Sequence, residues 1–348
     1  VLTLILTVGC FGVSASAAGN TMHGIGFVNT DSLRLRSDST ITSKILDTAN
    51  KNECISLEQR LSWLRETMFN RDECVHIRGL KYDDTVLNSS SQSDMQSSID
   101  WANFLKNNVF DFNEIDVIIG SEQYVKYMAD YIGIDHIIYD ENRVNITISA
   151  TSIKSDIFTY WDYLPPSVKQ TYAHHICICG SESTGKTTVC KHMEEKYNCV
   201  TMIPEIGRCL VGKSELCTVS KLCSIYDIHY ELLKQVILDP PTPIVIWDTD
   251  NLTTVSYYKY LFPAQDEKVL SQNGLIITAD KYFFFESNID FVDDGTRFSE
   301  SAAKRLRDNH LMVYKNHAIN PELVDTNREQ HVDNYIQSVI VKLSKAFN

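Results

Sequence analysis

The clearest chemistry in the chain lies in one run, Gly180-Ser181-Glu182-Ser183-Thr184-Gly185-Lys186-Thr187-Thr188. It matches GxxxxGK[ST], entered from the apolar residues 176–179 (ICIC) and followed by TVCKHMEEKY, which gives the strand, loop and helix that the motif needs. Glycines at 180 and 185 let the backbone turn so that successive N–H groups converge on phosphate at a helix N-terminus. Lys186 supplies a point charge for the β- and γ-phosphates, and the Thr187 hydroxyl is placed for Mg²⁺. The spacing therefore predicts a nucleotide site over residues 180–188, with ATP and Mg²⁺ as its cofactors.

Phosphoryl transfer needs acids near such a loop. TPIVIWDTDNLTT predicts a buried strand, Ile244–Trp247, ending in Asp248 and Asp250. Two acids one residue apart in extended chain share a side, so both are expected to face the metal and substrate, with Asp248 joining Thr187 as a ligand. Glu205 in MIPEIGR follows another short strand and competes with Asp248 as the base that takes the proton of a substrate hydroxyl. The sequence leaves that choice open. Arg208 lies on the same helical face as Glu205 and either contacts substrate or forms an ordinary ion pair.

The elements that position these groups read as an α/β protein with a mainly parallel sheet. At 348 residues the length fits two compact units plus something smaller. Hydrophobic residues at 43% and charged residues at 22% exclude whole-chain disorder and a polytopic membrane protein. A net charge of −13 gives no electrostatic reason to meet nucleic acid or anionic lipid. Ten cysteines are scattered without a CxxC pair, which fits reduced thiols and a cytoplasmic protein. SLEQRLSWLRETMF predicts an amphipathic helix, a second helix surrounds Trp101 and Phe104, and residues 115–119 predict a buried strand before a helix beginning near Glu122. The final helix shows an apolar face at Ile336, Val339, Ile340 and Leu343.

The N-terminal end reads differently. Residues 1–19 have an apolar run followed by Ala15-Ser16-Ala17, the form of a secretory signal, with a buried first strand as the alternative. Residues 20–53 resemble half of a bacterial SH3-like domain. That signal-like start conflicts with a cytoplasmic location.

From residue 54 onward the motifs fall in an order that resembles the NadR-type bifunctional nicotinamide-nucleotide adenylyltransferase/ribosylnicotinamide kinase family. GSEQY, a strand and ISATSIK resemble the latter half of its nucleotidyltransferase domain, with Ser149, Thr151 and Lys154 at phosphate-facing places and Lys154 replacing Arg. IFTYWDYLPPSVKQTY resembles the connection between its two domains. Glu182 fits the GxES[ST]GK variant of its kinase half, and Asp290, Asp294, Gly295 and Arg297 resemble its D-x-x-W-x-x-D-G-x-R lid, with Phe291 departing from the pattern. The resemblance implies a partial Rossmann-type nucleotidyltransferase-like domain at 54–164, a linker at 165–174 and a P-loop nucleoside kinase domain at 175–348. It implies that Lys186, Asp248, Glu205 and Arg297 are catalytic and that Asp250, Arg208, Asp290 and Asp294 touch a small nucleoside, N-ribosylnicotinamide. Arg305 and Arg307 are further candidates to meet transferred phosphate. No HxGH occurs in the sequence, so adenylyl transfer is expected to be lost. A kinase of another nucleoside and a nucleotide-responsive regulator are the alternative readings. Oligomeric state is not legible, and no membrane partner is expected for residues 54–348.

Overall fold

The structure is a computed structural model that describes residues 2–9, 22–29, 62–63, 66, 75–77, 94–108, 115–211, 217–264, 270, 276–286 and 300–347. The chain divides into two units, residues 1–168 with 343–348, and residues 169–342.

The first unit is built on a five-stranded sheet of β1 (Leu2–Gly9), β2 (Met22–Asn29), β3 (Val75–Ile77), β4 (Val117–Gly120) and β5 (Asp135–Ile138), in the order β3-β2-β1-β4-β5. Every neighbour is parallel. Among the described residues of this unit are the helices α1 (Met95–Asn108) and α2 (Tyr124–Ile132). Ala102 and Leu105 of α1 and Val125, Met128 and Ala129 of α2 bury against Ile118 of β4. Helix α2 ends at Gly133, whose φ of 83° and N–H to Ala129 O close the last turn as a left-handed cap.

The strand and helix expected near residues 115 and 122 are present one or two residues later. Of the two readings of residues 1–19, the strand corresponds to β1. Leu2–Gly9 is the middle strand of this sheet and Met22–Asn29 its neighbour, in parallel register from Leu2↔Met22 to Gly9↔Asn29. Of residues 20–53, which resemble half of an SH3-like domain, only 22–29 are among the described residues, and they pair in parallel with β1 and β3. The amphipathic helix expected over residues 56–68 lies mostly outside the described residues.

Helix α3 (Ala150–Ser155) follows, then α4 (Pro166–Tyr172). Pro166 stands at the first helical position, where its missing N–H costs nothing, and Val168 N–H bonds to Pro165 O. The expected spacer at 165–174 is thus largely helix rather than extended linker.

The second unit has a sheet of β6 (His174–Gly180), β7 (Val200–Ile203), β8 (Ile244–Asp248), β9 (Lys281–Phe285) and β10 (Glu322–Val324), in the order β10-β9-β6-β8-β7. All pairings are parallel. Central strands of such a sheet are covered on both faces, which is why β6 and β8 read as continuous apolar runs. Around it run α5 (Lys186–Lys196), α6 (Ile206–Leu210), α7 (Val219–Leu238), α8 (Asn251–Leu261), α9 (Glu300–Asn316) and α10 (Arg328–Phe347). Thr218 caps α7 by accepting from Lys221 N, and its residues Leu222, Ile225, Tyr226, Leu233 and Val236 bury at helical spacing. They join Trp247, Tyr258, Phe284 and Tyr314 in one core. Val339 and Leu343 of α10 are buried as expected from its stripe.

Candidate active site

Strand β6 delivers Gly180 between two neighbours, with Ile178 opposite Asp248 of β8 and Gly180 opposite Phe285 of β9. Gly180 has a φ of 131°, and a Cβ there would lie 2.5 Å from Phe285 O. No other residue fits that approach. The loop then turns through Ser183, at φ 62°, and Gly185, at φ 81°, before α5 starts at Lys186. Thr184 Oγ1 donates to Ser181 O at 2.9 Å and tightens the ring. Lys186 Nζ lies inside it, donating to Gly180 O at 2.9 Å and Ser181 O at 2.6 Å. Main-chain amides, a lysine and the start of an 11-residue helix thus converge at the carboxyl end of the sheet. Glu182 at the crest accepts from Tyr257 Oη of α8 at 3.0 Å. Thr188 is exposed, one residue beyond the converging groups.

Thr187 Oγ1 donates to Asp248 Oδ2 at 2.5 Å, so the two expected metal ligands meet although 61 residues apart. Asp248 is buried, and its Oδ1 has no hydrogen-bond partner. A hydroxyl beside a carboxylate with an unsatisfied oxygen is a hard oxygen donor pair that fits Mg²⁺. Among the described residues no cluster of three or more His, Cys, Asp or Glu side chains forms a metal cage.

Asp250 departs from expectation. Thr249 takes a φ of 74°, which ends the two-residue alternation and turns Asp250 away from the side Asp248 occupies. Asp250 caps α8 instead, accepting at Oδ1 from Thr253 N at 3.0 Å and Tyr314 Oη at 2.7 Å. Burial raises its pKa, with the Tyr314 and Thr253 hydrogen bonds opposing. It is buried, as Asp248 is.

Glu205 is half-buried just before α6, at the carboxyl end of β7 and one strand across from Asp248. Arg208 lies within α6, one turn later. Asp290, Asp294, Gly295 and Arg297 lie outside the described residues. Arg307 is held by Glu286, with Nε to Oε2 at 2.6 Å and a second bond from its terminal nitrogen to Oε1, and pairs with Asp308 at 2.8 Å. Those bonds raise its pKa and mark it as an ion-paired residue of the fold. Arg305 donates to Tyr260 Oη at 3.2 Å. Ser149 accepts from Ser152 N at 3.0 Å as the cap of α3.

Sequence reasoning missed the helix α9 side of the site. His310 is buried beside the ring of Tyr257, with centroids 5.5 Å apart, and against Phe284. Burial lowers its pKa to about 3, and the charge of Lys186 pushes the same way. Neither ring nitrogen has a hydrogen-bond partner. A histidine on an apolar helical face carries no local signal of this.

A parallel sheet in the order β10-β9-β6-β8-β7, a phosphate loop after its central strand and a magnesium-type aspartate on the adjacent strand define a P-loop kinase domain. Residues 175–331 match the AAA domain family AAA_28. The chain is 24% identical over 311 residues to the trifunctional NAD biosynthesis/regulator protein NadR of Escherichia coli (strain K12), covering 87% of this chain and 73% of that protein. It is 23% identical over 214 residues to the protein of the same name from Salmonella typhimurium (strain LT2), covering 60% of this chain and 52% of that one. A crystal structure of NadR protein in complex with NR superposes with a TM-score of 0.50 at 17% identity, over 83% of this chain and 84% of that one. By these relationships the chain is similar to NadR-type proteins.

Proposed function

We propose that the second unit phosphorylates the ribose 5′-hydroxyl of N-ribosylnicotinamide from ATP, forming nicotinamide mononucleotide. The observation that carries a kinase reading is the Thr187–Asp248 contact at the mouth of the Gly180–Thr187 loop. The substrate comes from the NAD biosynthesis named in the curated relatives. Because the chain spans 73% and 52% of those two proteins, their remaining activities are not carried over.

In this reading the loop amides and Lys186 hold the β- and γ-phosphates and spread the charge that develops during transfer. Lys186 leaves its two carbonyl partners to do so. Thr187 and Asp248 would hold Mg²⁺, which supplies charge neutralisation between the phosphates. With Asp248 engaged by Thr187, Glu205 is the carboxylate assigned to the nucleoside hydroxyl, where it accepts the proton. Arg297, Asp290 and Asp294, outside the described residues, are assigned to the substrate side on the family pattern, and Arg208 on its place one turn after Glu205. The same reading holds adenylyl transfer by the first unit to be negligible, because the chain has no HxGH pair to neutralise the attacked phosphate.

A panel with ATP and Mg²⁺ tests both halves: ribosylnicotinamide, uridine, cytidine and nicotinamide mononucleotide. Fastest ADP formation is expected with ribosylnicotinamide, and no pyrophosphate release with nicotinamide mononucleotide. Preference for uridine or cytidine would overturn the substrate, and sustained pyrophosphate release would overturn the loss of adenylyl transfer.

A further inference from the structure

The strand end that carries Asp248 is held by an unusual set of groups. Thr249 is a β-branched residue at φ 74°, a conformation that persists only where its surroundings impose it. On one flank Thr249 N–H donates to Ile178 O of β6 at 3.1 Å. On the other flank Asp250 is fixed at Oδ1 by Thr253 N, by Thr253 Oγ1 at 3.2 Å and by Tyr314 Oη at 2.7 Å. Tyr314 is 0% exposed, stands edge-on to Tyr282 of β9 with centroids 5.5 Å apart, and has Thr253 Oγ1 at 3.2 Å. Tyr314 reaches the turn from α9, outside the β8–α8 segment and the strand beside it, and Tyr282 of β9 also hydrogen-bonds Asp250.

We propose that Tyr314 is a positioning residue for magnesium. By holding Asp250 it keeps the Thr249 turn in its left-handed conformation, and that turn aims Asp248 at Thr187. The inference rests on the kinase reading above and adds to it a distant side chain that sets metal affinity without touching nucleotide or metal. A packing tyrosine would contribute stability alone. A positioning tyrosine sets how much Mg²⁺ the site requires.

The test compares the full chain with Tyr314→Phe in thermal-shift titrations using ADP alone and ADP with increasing Mg²⁺, alongside kcat and KM. The Mg²⁺ concentration for half of the metal-dependent shift is expected to rise about 5-fold, the equivalent of one hydrogen bond. The shift with ADP alone and the KM for nucleoside are expected to stay unchanged, and kcat at low Mg²⁺ to fall and recover at high Mg²⁺. A lower melting temperature with an unchanged Mg²⁺ requirement would reduce Tyr314 to a core residue and overturn the inference. If Tyr314→Phe does not fold, Thr253→Val decides. It keeps the Thr253 N–H and loses only Oγ1, and about a 2-fold rise is expected, with no rise overturning the inference. A wild-type chain whose ADP shift ignores Mg²⁺ sinks the kinase reading together with this one, whereas a Mg²⁺-dependent wild type with an indifferent variant sinks this one alone.

Discussion

Replacing Gly180 by alanine probes the contact on which the phosphate loop is built. The new methyl would lie 2.5 Å from Phe285 O, 3.1 Å from Phe285 N and 3.3 Å from Phe285 C. These are main-chain atoms of β9, paired to β6 through the register Cys177↔Tyr282 to Gly180↔Phe285, so no side chain can swing aside. The strands must part by several tenths of an ångström, an overpacking cost of about 1–3 kcal/mol. Alanine at φ 131° adds about 1–3 kcal/mol of backbone strain. A loss of about 2–6 kcal/mol from the second unit follows, with ADP affinity reduced at least about 10-fold because the displaced backbone is the floor of the loop. Gly133→Ala separates the two contributions. Gly133 also has a positive φ, 83°, but a Cβ there meets nothing within 4 Å, so strain alone applies. Urea denaturation followed by tryptophan fluorescence and ADP titration by calorimetry read both effects. A Gly180→Ala protein within about 0.5 kcal/mol of wild type, or one no less stable than Gly133→Ala, would refute the close approach of β9 to the loop.

Lys186→Ala is expected to lower ATP-dependent phosphorylation at least about 100-fold while the thermal transition persists, since the lysine's partners are two carbonyls of its own loop; retained turnover in a coupled ADP assay removes the loop from the mechanism. Ser149→Ala is expected to cost about 1 kcal/mol through loss of the α3 cap, read by thermal unfolding, and a cost near zero would argue against the capping role. Stability is expected to fall on acidification from pH 7 to 5. His175, His229 and His310 are held by burial at about 4, about 4 and about 3, below their ordinary 6.5, so the unfolded chain binds more protons in that window. With all three titrating, the slope approaches about 4 kcal/mol per pH unit. A melting temperature flat between pH 7 and 5 would refute the burial of these imidazoles.

Different parts of the site were legible to different degrees. The loop at 180–188 is contiguous, and a glycine pair, a lysine and a threonine between an apolar run and a helix specify its backbone locally. Asp248 was legible because a carboxylate after a buried strand has few other uses. The cap that Asp250 forms on α8 was not legible: alternation assumes extended chain, and a single left-handed residue, Thr249, breaks it. The lid pattern and Arg297 rest on motif alone, outside the described residues.

What the amino-acid order determined by itself is therefore local: the phosphate loop, the strand that ends in Asp248, the parallel α/β character of both units and the apolar stripe of α10. Tertiary structure alone decided which distant groups meet. It placed Leu2–Gly9 in the middle of a parallel sheet, where composition left an export signal and a first strand both open, because an apolar run carries no mark of its strand neighbours. It brought Tyr314 to Asp250 across 64 residues and His310 to the flank of the loop, because a polar atom on an apolar helical face acquires its role only when packing selects its neighbour.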